Sequence, residues 1–179
     1  MIYTDPLFLG VTPTGARTYL ADKLVSLEKP FFNACAGRFS VVEVAIKAGL
    51  PPENIYASDL GLFSSIIGFL ADPAKKMDDL GIRILDAVLE PKGITDELDF
   101  AAHVMLILKL NQMKQTNLRG FYLREELLSS WSRCRQTMRE QLETLVQNIA
   151  GIHHEIADIW DVVPRVSQED VTFYASVPH

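Results

Sequence analysis

The stretch Phe31-Phe32-Asn33-Ala34-Cys35-Ala36-Gly37-Arg38-Phe39-Ser40-Val41, together with the acid further on at Asp59, decides the fold. Residues 31–36 are a short apolar run of strand type, and Gly37 supplies a turn. Residues 40–48 (SVVEVAIKA) carry apolar side chains at helical spacing until Gly49 and the Pro51-Pro52 pair stop them. Residues 55–58 form a second strand with Asp59 at its tip. Strand, helix, strand in that order is a parallel crossover. A glycine at the strand-to-helix turn lets a ligand approach backbone N–H groups at a helix N-terminus. An acid about twenty residues on can accept hydrogen bonds from two ribose hydroxyls. The alternative on the same residues is that Gly37 only tightens the turn and Asp59 caps the helix after it.

Working outward, residues 16–29 place Leu20, Leu24 and Leu27 at helical spacing before Pro30. Residues 61–71 are apolar nearly all round and predict a buried helix. The pattern predicts a helix over 78–90, interrupted at Gly81 and closed by Pro91, and another near 96–114. From 124 to 149, Leu127, Leu128, Trp131, Cys134, Met138, Leu142, Leu145 and Ile149 recur every three or four residues, which predicts one long amphipathic helix. Beyond Gly151 the units shorten to a strand within 152–157, a turn of helix over 158–163 ending at Pro164, and a β-rich strand over 171–175 (VTFYA). That last strand suits a central place in a parallel sheet, where its crossover and flanking strands are then missing. The expected fold class is α/β, with a sheet from residues 1–71 and 150–179 and a helical insertion over 72–149.

Composition narrows the function classes. At 179 residues, 48% apolar and 22% charged, the chain is an ordinary globular domain and neither a disordered nor a fibrous sequence. Two cysteines, Cys35 and Cys134, are too few for a disulfide framework or a cysteine zinc cluster, which favours a reducing, cytoplasmic setting. No signal peptide or membrane span is readable, so no membrane partner is expected. The net charge of −6 argues against non-specific coating of nucleic acid, yet Lys109, Lys114, Arg119, Arg124, Arg133, Arg135 and Arg139 face only Glu125 and Glu126 between residues 103 and 139. Such a basic island suits phosphate, or a merely solvated helix face.

The order and spacing of these motifs from Thr12 to His179 resemble the D12 class of adenine-N6 DNA methyltransferases, the Dam-like group. Gly15-Ala16-Arg17-Thr18-Tyr19-Leu20 is similar to the G-G-K-x-x-L segment that opens that family's cofactor site. Asn33-Ala34-Cys35-Ala36-Gly37-Arg38-Phe39-Ser40-Val41 is similar to its E-P-F-x-G-x-G-S-V turn, with Asn33 in place of the acid and Arg38-Phe39 where a second glycine is usual. Tyr56-Ala57-Ser58-Asp59-Leu60-Gly61 resembles the x-x-x-D-x-N strand end. Ile156-Ala157-Asp158-Ile159-Trp160 through Pro164 resembles the later strand and acid, and Tyr174-Ala175-Ser176-Val177-Pro178-His179 the Y-x-D-P-P-Y catalytic strand end.

The resemblance implies a Rossmann-like, incomplete methyltransferase sheet that uses S-adenosylmethionine and no metal. It implies Gly15, Arg17, Asn33, Ala34, Cys35, Gly37, Asp59, Leu60 and Asp158 at the cofactor, with Asp59 on the ribose, Asp158 by the adenine amine and Gly37 admitting the methionine part. Ser176, Pro178 and His179 would form the catalytic strand end, where Ser176 accepts a bond from the target amine and His179 stacks on an extruded base. Arg133, Arg135 and Arg139, in the insertion where the family places target recognition, would approach DNA. The implied protein is truncated or one half of a split enzyme and inactive alone, of bacteriophage type. The other possibility is an inactive scaffold that binds protein or nucleic acid, pairing with a second polypeptide or with itself across exposed sheet edges.

The remaining chemistry-bearing residues read as structural. His153, His154 and Glu155 are adjacent in a strand and point to alternating faces, which makes them poor joint metal ligands. Cys35 reads as a small buried residue more than a reactive thiol, His103 as a satisfied core histidine, and Trp131 and Trp160 as packing residues.

Overall fold

A computed structural model describes residues 13–25, 27–86, 89–113 and 118–175. Among them the chain forms two compact units, one within Gly81–Leu145 and the other from residues 13–80 with 146–175.

The second unit holds the sheet. Its elements are α1 (Thr14–Leu24), β1 (Phe31–Ala34), α2 (Ser40–Lys47), β2 (Ile55–Ser58), α3 (Leu62–Ala71), β3 (His153–Glu155), α7 (Ile159–Val166) and β4 (Thr172–Ala175). The four strands are parallel in the order β3-β2-β1-β4. β1 is wholly buried because it is paired on both sides, and this accounts for the unbroken Phe-Phe-Asn-Ala run. The chain steps outward from β1 to β2 to β3, then crosses back over both to lay β4 on the far side of β1.

Strand alternation divides the core. Paired residues share a face, so Asn33, Ala57 and His154 look one way, toward α2 and α3. There the His154 ring lies 5.7 Å from Phe39 and 6.0 Å from Phe69. Phe32 and Ala34 look the other way and pack on Val162 and Val166 of α7. On that second face Phe173, Phe32, Tyr56 and His153 stack in a row across all four strands, with centroids 6.0, 6.4 and 4.8 Å apart. β3 is tied to α3 by the buried Asp72 carboxylate, which accepts from His154 N at 2.8 Å and from Ala74 N at 2.9 Å.

The first unit holds α4 (Glu97–Gln112), α5 (Leu118–Ser129) and most of α6 (Trp131–Ile149). His103 is buried, with Nε2 2.8 Å from the Leu89 carbonyl and Nδ1 accepting from Trp131 Nε1 at 3.3 Å, so it is the satisfied core histidine its sequence context suggests. Arg135 reaches the Lys92 and Gly93 carbonyls and lies 3.1 Å from the buried Asp99 carboxylate. Arg139 bonds Asp96 at 2.8 Å and holds that carboxyl below its usual range. Two of the three arginines expected at DNA thus pin the loop before α4 to α6. Arg135→Ala, which removes the cation beside the buried Asp99 and leaves that carboxylate only the Thr95 N–H among the bonds described, is expected to cost about 2 kcal/mol in urea denaturation.

Several expected elements differ. No helix forms over 78–90 among the described residues: Met77–Leu80 is a 3₁₀ turn and 81–86 is irregular, because Gly81 adopts φ +59° and breaks the pattern at its start. The helix over 124–149 is two helices that part at Ser130, after a serine pair whose Ser129 hydroxyl bonds back to the Glu126 carbonyl. α7 continues through Pro164 to Val166. β4 is an edge strand among the described residues and not a central one, since only β1 pairs with it.

Candidate functional site

The four strands end level. Ala34 lies beside Ser58 and Ala175, and Ser58 beside Glu155, so every loop that leaves the C-terminal ends starts from one rim. The crossover reverses direction between β1 and β4, and it is outside the C-terminal ends at such a reversal that open parallel sheets leave a crevice.

At this rim the exit of β1 coils tightly. Cys35, Gly37 and Phe39 all have positive φ, at 55°, 52° and 61°. Gly37 adopts this region without strain, and a Cβ there would find only the Cys35 carbonyl, at 3.9 Å. Phe39 holds a left-handed shape that glycine favours, and its ring is fully buried in the core near His154 rather than in the rim. The turn is fastened to β2: Ala36 N donates to the Ser58 carbonyl at 3.0 Å, and Gly37 N to Asp59 Oδ2 at 2.8 Å. The other Asp59 oxygen accepts from Gly61 N at 2.7 Å. Asp59 therefore braces the two loops across the rim.

Asp158 follows β3 and caps α7, accepting from Trp160 N at 2.9 Å through Oδ1. Burial, and then the charges of Asp59 and Asp158, push the Cys35 thiol pKa up, so the thiol stays protonated. A protonated, half-buried thiol is no nucleophile.

The structure thus brings Cys35, Gly37 and Asp59 together, with Asp158 at the exit of β3 on the same rim, Leu60 exposed beside Asp59 and Ala34 as the last residue of β1. Asn33 sits lower, inside β1, 1% exposed, with both amide atoms unpartnered. Gly15 and Arg17 lie in the first turn of α1, where Arg17 donates to Thr14 at 3.3 Å and keeps a buried, unpartnered Nε. Ser176, Pro178 and His179 lie outside the described residues. Arg133 is exposed on α6.

The sequence reading missed the apolar side of the rim. Trp160, expected to pack, is 80% exposed, because Val162 and Val166 take the core side of the short α7. With Leu60, Leu62 and Ile156 it leaves large apolar side chains exposed just past β2 and β3. The available signal was their position directly beside the two strand-end acids. A second missed feature is a cavity of about 270 Å³ between α7 and strands β1, β2 and β3, lined by Phe32, Tyr56, His153, Glu155, Arg165 and Val166 among others, with Glu155 and Arg165 ion-paired in its lining.

Among the described residues no group of three or more His, Cys, Asp or Glu is placed to hold a metal, and no helix is long and apolar enough to cross a membrane. No curated protein and no solved structure matches the chain. The family comparison is positive and spans nearly the whole length: residues 8–179 match the model described as "Phage DNA Adenine Methylase-like domain 1", so the chain belongs to that family, a divergent Dam-like methyltransferase group.

Proposed function

We propose that the rim binds S-adenosylmethionine on a Rossmann-like sheet, and that the protein is a DNA adenine-N6 methyltransferase-like protein. The observation that carries this reading is the Gly37–Asp59 bond across the exits of β1 and β2, with Asp158 at the exit of β3 on the same rim. The residues present fit the nucleoside. Each Asp59 oxygen keeps acceptor capacity beyond its one backbone bond, enough for two ribose hydroxyls, and the second Asp158 oxygen is available to an adenine amine. Leu60, Ile156 and Trp160 offer apolar surface for a purine ring, and Gly37 lets a ligand lie against the turn. When bound, the cofactor supplies a sulfonium methyl for attack by a base amine.

In this proposal the base meets the chain just after β4, with Ser176 accepting from the amine, Pro178 shaping the strand end and His179 stacking. Phosphate contact from Arg133 belongs to the same proposal. Calorimetric titration with S-adenosylmethionine and S-adenosylhomocysteine tests it: saturable binding is expected, at least tenfold weaker in Asp59→Ala and weaker again with Asp158→Asn added. Because Asp59 also braces the rim, the thermal midpoint of each variant is measured alongside. Silence at millimolar ligand in the parent protein removes the reading.

A second reading, an inactive scaffold that docks a second polypeptide or its own copy, is favoured by the edge at β4. The outward His154 N–H of β3 is already covered by Asp72, whereas β4 carries the half-exposed Phe173 and pairs on one side only among the described residues.

A further inference from the structure

We propose that the cavity between α7 and the sheet is a ligand site of its own, and that it takes a small flat ring carrying a cationic nitrogen. The cavity exists because α7 is short. Its apolar side, Val162 and Val166, packs on Phe32 and Ala34 of β1, while Tyr56 of β2 stays 38% exposed and His153 of β3 is only half-buried. Phe32, Tyr56 and His153 lie at one level of their strands and stack in a row, so the sheet side of the cavity is aromatic. Arg165 and Val166 of α7, with Glu169 and Val171 on the way to β4, complete the lining.

An apolar recess with a few convergent polar groups is how small-molecule sites are built. A dry cavity of about 150 Å³ already takes benzene, so one of about 270 Å³ has room for a ring and a polar substituent. Aromatic walls favour an aromatic occupant. The polar groups choose its charge. Glu155 is paired with Arg165, and the charge of Glu169 acts on the same guanidinium. Two carboxylates thus meet one guanidinium, and one negative charge is left over. Asp170, the neighbour of Glu169, is already paired with Lys29. An amidinium or ring ammonium supplies the missing cation together with N–H donors, whereas a ligand carboxylate would add a third anion. The Tyr56 hydroxyl and the His153 ring nitrogens make no hydrogen bond among the described residues, which leaves them free for the same ligand. Glu155 and Arg165 keep 35% and 51% of their side chains exposed, so the preference for a cation is modest and weakens with salt.

Benzamidine, benzamide and benzoate carry one ring with a cationic, a neutral and an anionic substituent, and they serve as the probes. Calorimetry on the full chain at pH 8 and low salt is expected to show saturable binding of benzamidine, about fivefold tighter than benzamide, with benzoate weaker than both. Glu169→Gln, at an exposed position, is expected to bring benzamidine within about twofold of benzamide. Benzamidine is also expected to shift the ring-proton resonances of His153, identified by their absence in His153→Gln, and to leave those of the buried His103 in place. Benzamide that binds as tightly as benzamidine, a preference that Glu169→Gln does not move, or shifts that spare His153 would each overturn the inference. Silence of all three probes at ten millimolar overturns it too, and leaves the adenosine reading of the rim untouched.

Discussion

Gly68→Ala is expected to destabilise the protein by about 3 kcal/mol, far more than the usual effect of glycine to alanine in a helix. On an isolated helix the change is favourable. Here a Cβ at residue 68 would stand 2.2 Å from His154 Cγ, 2.4 Å from Cδ2 and 2.6 Å from Nδ1. The imidazole has nowhere to retreat, because it is 3% exposed and lies against the Phe39 and Phe69 rings, while its strand is held by β2 on one side and Asp72 on the other. The ring and the helix must separate, or α3 must lift from β3. A double-mutant cycle isolates the clash: with His154→Ala already in place, adding Gly68→Ala should cost almost nothing, so the coupling between the two sites exceeds about 1.5 kcal/mol. Urea denaturation of the four proteins reads it directly. A single Gly68→Ala variant within about 0.5 kcal/mol of the parent contradicts this packing.

The same contact shows what the sequence did and did not make legible. Residues 61–71 announce a buried helix by their unbroken apolar run, and α3 is that helix, but the reason for a glycine inside it lies on a strand far along the chain. Phe31–Ala34 and Ile55–Ser58 were readable as parallel strands because each is a short, mostly apolar run and a helical pattern separates them. The edge position of β4 was not readable, since VTFYA is equally apolar and only pairing decides whether a second neighbour exists. At the rim, spacing alone was enough to bring Gly37 and Asp59 together, as their 2.8 Å bond shows. It did not reveal that Asp59 also holds Gly61, nor that Phe39 turns into the core. The second depends on a left-handed backbone angle that residue identity predicts for glycine and not for phenylalanine. The ion-pair partners of the arginines were illegible for a comparable reason. A periodic basic face looks solvated or phosphate-bound in sequence, and the acids that meet Arg135 and Arg139 come from the start of another helix.

Between pH 6.5 and pH 4 the protein is expected to lose about 3 kcal/mol of stability through His154 alone. Burial dominates its environment and lowers its pKa to about 4, although Asp59, Asp72 and Glu155 pull the other way while Lys75 adds to the lowering. Both ring nitrogens are buried without a partner, so charging the ring offers no compensating hydrogen bond. The unfolded chain takes up the proton near pH 6.5 and the folded one only near pH 4. Throughout that window the unfolded state binds more protons, and stability therefore rises with pH. The contribution is complete above pH 6.5, falls by up to about 1.4 kcal/mol per pH unit below it, and changes no further once pH drops under 4. Carboxylates such as Asp96, whose pKa is lowered by its bond to Arg139, act in the same direction but only near and below the ordinary carboxylate range, so the upper half of the window belongs to histidine. Urea denaturation at pH 7, 6 and 5 should show the slope in the parent protein and a flatter profile in His154→Leu, which keeps an apolar side chain of similar size against Phe39 and Phe69. A parent whose stability is level across that range, or a leucine variant with the parent's slope, would mean that the imidazole is solvated or bonded and that the seal between α3 and β3 is looser than the geometry requires.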